Sequence, residues 1–170
     1  YGNRVGARVS YSSVRGATYG VGSQYGFDVA AGLRLDHEAF GATFNNITVN
    51  YTLNTFRRLW GKTPVIAARL TGAFRAGDQV RGNAFSLGGV PTQDIVRSVI
   101  DSIRVGVTGY LRGYEPRTVQ GNQFHLLNLE YRQELFRIER GLGTLPIYFR
   151  RVSIAGLSDL GTAFDTELAI

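Results

Sequence analysis

Residues 25–37 read Tyr25-Gly26-Phe27-Asp28-Val29-Ala30-Ala31-Gly32-Leu33-Arg34-Leu35-Asp36-His37, and their character alternates at every step. One parity is Tyr25, Phe27, Val29, Ala31, Leu33 and Leu35. The other is Gly26, Asp28, Ala30, Gly32, Arg34 and Asp36. Successive side chains on a β-strand point to opposite faces, so this stretch is a strand with one apolar and one polar side. The same period recurs outward from it. Within 3–15, Val5, Ala7, Val9 and Tyr11 alternate with Arg4, Gly6, Arg8, Ser10 and Ser12. Within 42–58, Ile47, Val49, Tyr51 and Leu53 oppose Asn46, Thr48, Asn50, Thr52 and Asn54, and within 63–76, Ile66, Ala68, Leu70 and Phe74 oppose Ala67, Arg69, Thr71 and Arg75. Two further segments repeat it. In 124–138, Leu127, Leu129, Tyr131 and Leu135 face away from Asn128, Glu130, Arg132 and Glu134. In 145–161, Tyr148, Val152 and Ile154 face away from Arg151, Ser153, Ala155 and Asp159.

A soluble sandwich also alternates. These strands, however, run to about 12–16 residues, where soluble strands average about 5–6. Their polar faces are small and hydrophilic. A membrane-crossing strand needs about 9–11 residues, with lipid on one side and a wet lumen on the other. The pattern therefore predicts an all-β fold: an antiparallel up-and-down transmembrane β-barrel with the apolar parity toward lipid. Tyr25, Trp60 and Tyr148 would lie near the interfaces. A soluble β-protein is the plainer alternative. The short Gly-bearing connections at 16–24, 38–41, 59–62 and 139–144 suit a meander of hairpins. Six strands cannot enclose a lumen, since the smallest such barrels have about eight. Residues 1–170 therefore read as part of one larger barrel domain.

Composition narrows the function classes. The chain has 170 residues, a formal net charge of +6, 22 Gly, no Cys and no Met. The missing Met implies a segment excised from a longer chain, and Tyr1-Gly2-Asn3-Arg4 does not open a signal peptide. No apolar run reaches about 18 residues, so no transmembrane helix is encoded. Without Cys, thiolate chemistry is excluded, and His37 and His125 are too few for a histidine metal cage. The cations are scattered, with no basic run longer than Arg57-Arg58 or Arg150-Arg151, which argues against a nucleic-acid partner.

Apparent catalytic motifs fail on inspection. Gly61-Lys62-Thr63 lacks the glycine of a phosphate loop, because that position is Phe56. Gly20-Val21-Gly22 lacks its third glycine at Tyr25. Gly156-Leu157-Ser158-Asp159 is no nucleophile elbow, because Leu160 stands where glycine is needed. Glu130 and Glu134 would lie about 13 Å apart on a strand, too far for paired acid and base chemistry. His125 stands outside any catalytic array. The expectation is no catalytic residue, no cofactor and no metal.

The connection at 77–123 is far longer than ordinary loops, and such loops usually carry function. It contains Phe85-Ser86-Leu87-Gly88-Gly89, with Gly88-Gly89 read as a plain turn, and then Leu111-Arg112-Gly113-Tyr114. Downstream stand Asn128-Leu129-Glu130-Tyr131-Arg132 and Leu157-Ser158-Asp159-Leu160-Gly161. This combination resembles the BamA/TamA-type superfamily of outer-membrane protein assembly and translocation barrels, which includes two-partner secretion transporters. The resemblance is carried by 68–164, with Leu157 where that family usually has an aromatic residue.

The resemblance implies a barrel of 16 strands in the outer membrane of a Gram-negative bacterium, of the surface-antigen type. Its long extracellular loop, 77–123, would fold into the lumen. There Arg112 would lock onto Glu130 and Asp159, with Gly113 shaping the tip, Tyr114 wedging it against the wall, and Gly161 beside the acid. The implied partners are outer-membrane lipid, client outer-membrane or secreted proteins, and accessory assembly subunits. An alternative is a passive pore, or an anchor for an attached soluble domain such as a patatin-like enzyme. Arg8, Arg34, Arg69 and Arg75 would then favour anions.

Overall fold

A computed structural model describes residues 4–16, 22–43, 45–61, 63–77, 85–89, 109–115, 117–141, 143 and 148–166. Lys62 and positions 17–21, 78–84 and 90–108 of the expected connections lie outside the described residues. The chain runs β1 (Arg4–Ser12), β2 (Arg15–Gly16), β3 (Ser23–Asp36), a 3-10 turn (Glu38–Phe40), β4 (Asn46–Arg58) and β5 (Val65–Gly77). It continues through β6 (Phe85–Gly88), β7 (Gly109–Tyr110), β8 (Val119–Gly121), β9 (Gln123–Gly141) and β10 (Tyr148–Phe164). The fold is all-β, with no α-helix among the described residues.

The six long strands form one antiparallel sheet in the order β1-β3-β4-β5-β9-β10, with β2 added on β3. Sequential hairpins give this order directly, and the alternation sets the register. Among the described residues β1 and β10 have no strand on their outer sides. The sheet is therefore open, and the closed barrel is not found in this chain.

Several boundaries differ from expectation by a few residues, β9 running through Gly141 into the expected 139–144 connection, and two have a visible local cause. The first strand ends at Ser12 because the chain bulges there. Gly26 takes φ 101°, and a Cβ on it would sit 2.4 Å from the carbonyl oxygen of Ser13. The β3–β4 connection extends to Asn45. The Nδ1 of His37 accepts the Ala39 N–H at 3.0 Å, and the Asn45 side chain accepts from Glu38 N–H at 3.1 Å, so the 3-10 turn holds these residues out of β4.

Burial runs opposite to a soluble protein. On β3, Tyr25, Phe27, Val29, Ala31 and Leu33 are exposed, while Asp28, Ala30, Gly32 and Arg34 between them are half-buried. On β4, Val49 and Leu53 are exposed, and Asn46 and Thr48 are buried. While β1 is exposed on both faces, on β3 and β4 the polar face is the more covered one.

What covers it at the loop end is the long connection. Strands β6, β7 and β8 make a second small sheet in the order β7-β6-β8, in which β6 and β7 run parallel. Leu87 and Leu111 from this unit pack with Ala73, Phe124, Leu126 and Ala163 of the large sheet, with Phe85 and Val119 alongside. The four wall residues share the parity of the polar face. Seating the loop buries its apolar underside there, which stabilises it by about 1.5–3 kcal/mol for each large side chain fully covered. Asn122 closes this end. Its N–H donates to Asp165 at 2.7 Å, its amide donates to the Thr166 carbonyl at 2.7 Å, and its Oδ1 accepts the Thr166 N–H at 2.9 Å.

Candidate functional site

One register row crosses all six long strands: Ser12, Asp28, Asn54, Arg69, Asn128 and Asp159. It is polar throughout, and its members hydrogen-bond in pairs. Asn54 donates to Asp28 at 2.7 Å, and Asn128 donates to Asp159 at 2.7 Å. The next row toward the loop is Ser10, Ala30, Thr52, Thr71, Leu126 and Gly161. The loop tip comes down at the boundary between the apolar pad and the polar row.

The tip is shaped by two close backbone approaches. The Leu111 N–H donates to the Gly88 carbonyl at 3.0 Å, and the Gly89 N–H donates to the Glu115 carbonyl at 3.1 Å. A Cβ on Gly89 would lie 2.1 Å from the Tyr114 carbonyl oxygen. Gly88 and Gly89 are thus the cradle of the tip and not a plain turn. Gly113 has φ 83°, with nothing within 4 Å of its missing Cβ, so its role is conformational. At Gly161 a Cβ would press on Leu126 at 3.1 Å and on Leu111 and Leu87 at 3.4 Å, so the bare backbone there admits the loop's underside.

Arg112 meets Asp159 in two ways. Its backbone N–H donates to Asp159 Oδ2 at 3.1 Å, and its Nε stands 3.7 Å from the same oxygen. The Asp159 side chain is 5% exposed and that of Arg112 55% exposed. The acid is buried and its cation is not. The main-chain donor is the tighter hold on the tip, and Asn128 fixes the acid from the neighbouring strand.

Glu130 feels the Arg112 charge but takes a different direct partner. It accepts from Arg132 Nε and Nη2, both at 2.7 Å, in a two-pronged ion pair. The reason is local. Arg132 lies two residues along the same face of the same strand, close enough for its planar fork to bind both carboxylate oxygens. Tyr114 departs too. The residue is 56% exposed and so is not wedged into the wall.

Arg132 does a second thing. Its Nη1 lies 2.8 Å from where a Cβ on Gly22 would stand. In the sheet order β9 and β3 are three strands apart, about 14 Å on a flat sheet. The β2–β3 end therefore reaches across the polar face to meet Arg132, and Gln24 is buried there.

Sequence reasoning put Asn128 and Arg132 on the polar face without giving either a role, and it missed the pad of Phe124 and Leu126. The pad left a signal: two large apolar residues in the polar parity, immediately before Asn128. Glu134, with Arg137 at 3.2 Å and Arg151 at 3.7 Å, forms a separate ion-pair group on the protruding β9–β10 hairpin. Among the described residues no group of three His, Cys, Asp or Glu is arranged to hold a metal ion. No family model matches the chain, and neither the curated proteins nor the solved structures gave a match.

Proposed function

We propose that this chain is the loop-bearing part of an outer-membrane β-barrel of the protein assembly and translocation type, inserting or exporting client proteins without hydrolysis. The observation that carries the reading is the loop tip seated by Arg112 on the buried Asp159, on the polar side of a sheet whose apolar side is bare.

The bare side supports a lipid environment. It spans six strands and about 9 residues on each, roughly 700 Å², more than the few hundred Å² usual for a soluble monomer's largest apolar patch. The band also slants. It covers Val5–Tyr11 on β1, but Leu129, Tyr131, Leu135 and Ile138 on β9 and Tyr148, Ile154 and Leu160 on β10. From β1 to β10 the register moves it toward the turn end by about 29 Å along the strands for about 24 Å across them, a tilt near 50°. Strands in membrane barrels tilt by roughly 35–45°. Exposed Tyr25, Trp60 and Tyr148 suit the interfaces.

In this reading no residue is catalytic and no cofactor is needed. The loop braces the wall from within, and a client strand would satisfy its backbone by edge pairing that lipid cannot provide. The test places Asp159→Asn and Leu87→Ala in the full protein and follows client insertion or export in the outer membrane. Loss of transport with the barrel still folded supports the reading, and full transport by both variants refutes it. The arginines of the polar face favour a second reading, a passive anion pore. Single-channel recording separates the two: a large, steady, anion-selective current marks a pore, and small, erratic openings mark a plugged translocator.

A further inference from the structure

The loop end of the polar face holds a group of cations outside the tip contact. The row nearest the loop end is Arg4, Asp36, Asn46 and Gly77, and the next is Gly6, Arg34, Thr48 and Arg75. Arg8 follows one row further in on β1. Asp36 is the carboxylate in these rows. It meets Arg4 at 3.7 Å and Arg34 at 3.6 Å, both beyond hydrogen-bonding distance.

We propose that this cluster is a binding site for a phosphate-class oxyanion, with Arg34 at its centre and Arg4, Arg8 and Arg75 around it.

Three observations converge on it. The Nε of Arg34 is buried and faces Asp36 Oδ2 at 3.6 Å without a hydrogen bond, and a buried donor held only by a long ion pair is under-satisfied. Arg34 and Arg75 stand on one register row two strands apart, where their charges oppose each other and Asp36 offsets part of the repulsion. Arg75 is held in that posture, donating from Nε to Thr48 Oγ1 at 3.2 Å with its guanidinium 4.9 Å from the centre of the Phe85 ring. Asn46 Oδ1, on the adjacent row, is a buried acceptor without a partner. An oxyanion between the arginines would offset their repulsion and accept from the Arg34 guanidinium. The hydroxyl of a hydrogenphosphate would donate to Asn46. Guanidinium forks match the several oxygens of phosphate better than a single-atom anion. Asp36 opposes the anion and neutralises part of the cluster, which leaves a moderate site that salt weakens.

The site stands independently of the assembly reading, and its test does not use transport. The full chain in zwitterionic detergent is titrated with inorganic pyrophosphate at low salt by calorimetry. One saturable site is expected. Arg34→Gln weakens it at least tenfold, and Arg34→Lys, which keeps charge but loses the planar fork, weakens it severalfold. Arg4→Gln serves as a second variant on a strand with an open edge, where folding is least at risk, and also weakens binding. Arg57→Gln, on the apolar face, leaves it unchanged. Doping the micelles with phosphatidylglycerol separates the sources: competition identifies a lipid headgroup as the ligand, and no competition identifies a soluble phosphate. Absence of saturable binding to the wild-type chain overturns the proposal. So does an equal loss in Arg57→Gln, which would mean diffuse charge attraction.

Discussion

Truncating Asp159 should free the loop tip far more than truncating Arg112. Asp159→Ala removes the acceptor for two donors, the Arg112 N–H at 3.1 Å and the Asn128 amide at 2.7 Å. Only the first of these ties the tip to the wall; a hydrogen bond to a charged group contributes about 1.5–3 kcal/mol, so the expected loss for the tip is about 1.5–3 kcal/mol. Arg112→Ala keeps the backbone donor. It deletes only a guanidinium that is 55% exposed and 3.7 Å from its partner, an ion pair worth at most about 1 kcal/mol. Hydrogen exchange of segment 109–115 reads the difference, because local opening scales tenfold per about 1.4 kcal/mol. Asp159→Ala should speed exchange by about 10- to 150-fold and Arg112→Ala by no more than about fivefold. Equal acceleration by the two variants would refute the claim that the main-chain contact carries the hold.

Further outcomes follow from other parts of the fold. Leu87→Ala empties the fully buried centre of the loop core and should cost about 2–5 kcal/mol, seen as proteolysis within the loop while the six-stranded sheet stays intact. Gly121→Ala would push a Cβ to within 2.4 Å of the Phe164 backbone; it should detach the end of β10 and speed exchange at 162–166. Spin labels at Val29 and Leu33 should be relaxed by a lipid-soluble quencher and one at Ala30 by a water-soluble quencher, and the reverse pattern would mark a soluble sheet. Arg132→Met should loosen the β2–β3 end without moving the loop tip, because Arg132 contacts Gly22 and Glu130 and takes no part in the Arg112 pair.

The large sheet was legible because its information is local. Parity at Phe27 or Asn128 depends only on neighbours one and two residues away, and the meander follows from short connections. The placement of Asp159 and Glu130 on one face followed from the same parity. Their partners did not. Arg112 approaches from a tip whose height is set by Leu87 and Leu111 on a pad distant in sequence, whereas Arg132 is already beside Glu130. The small sheet was illegible for a related reason. Segments of two to four residues such as Gly109–Tyr110 and Phe85–Gly88 have no measurable period, and they become strands only because the pad beneath them aligns their backbones. Gly89 read as a turn because what it accommodates, the Tyr114 carbonyl, lies 25 positions away.

The pairing of β5 with β9 has a consequence for how the chain assembles. Strands β1 to β5 join through connections of a few residues, so they can zip one after another. The Phe74–Gln123 pair instead closes a segment of roughly 50 residues. Relative to a turn of about six, that closure is harder by about 2 kcal/mol of chain entropy. The small sheet shortens the gap: once Leu87 has met Leu111 and Val119, the ends of the segment are already near each other. The loop is therefore the splint that brings the two halves of the wall into register, and sequences that weaken it should stall after β5 with the β9–β10 hairpin unattached.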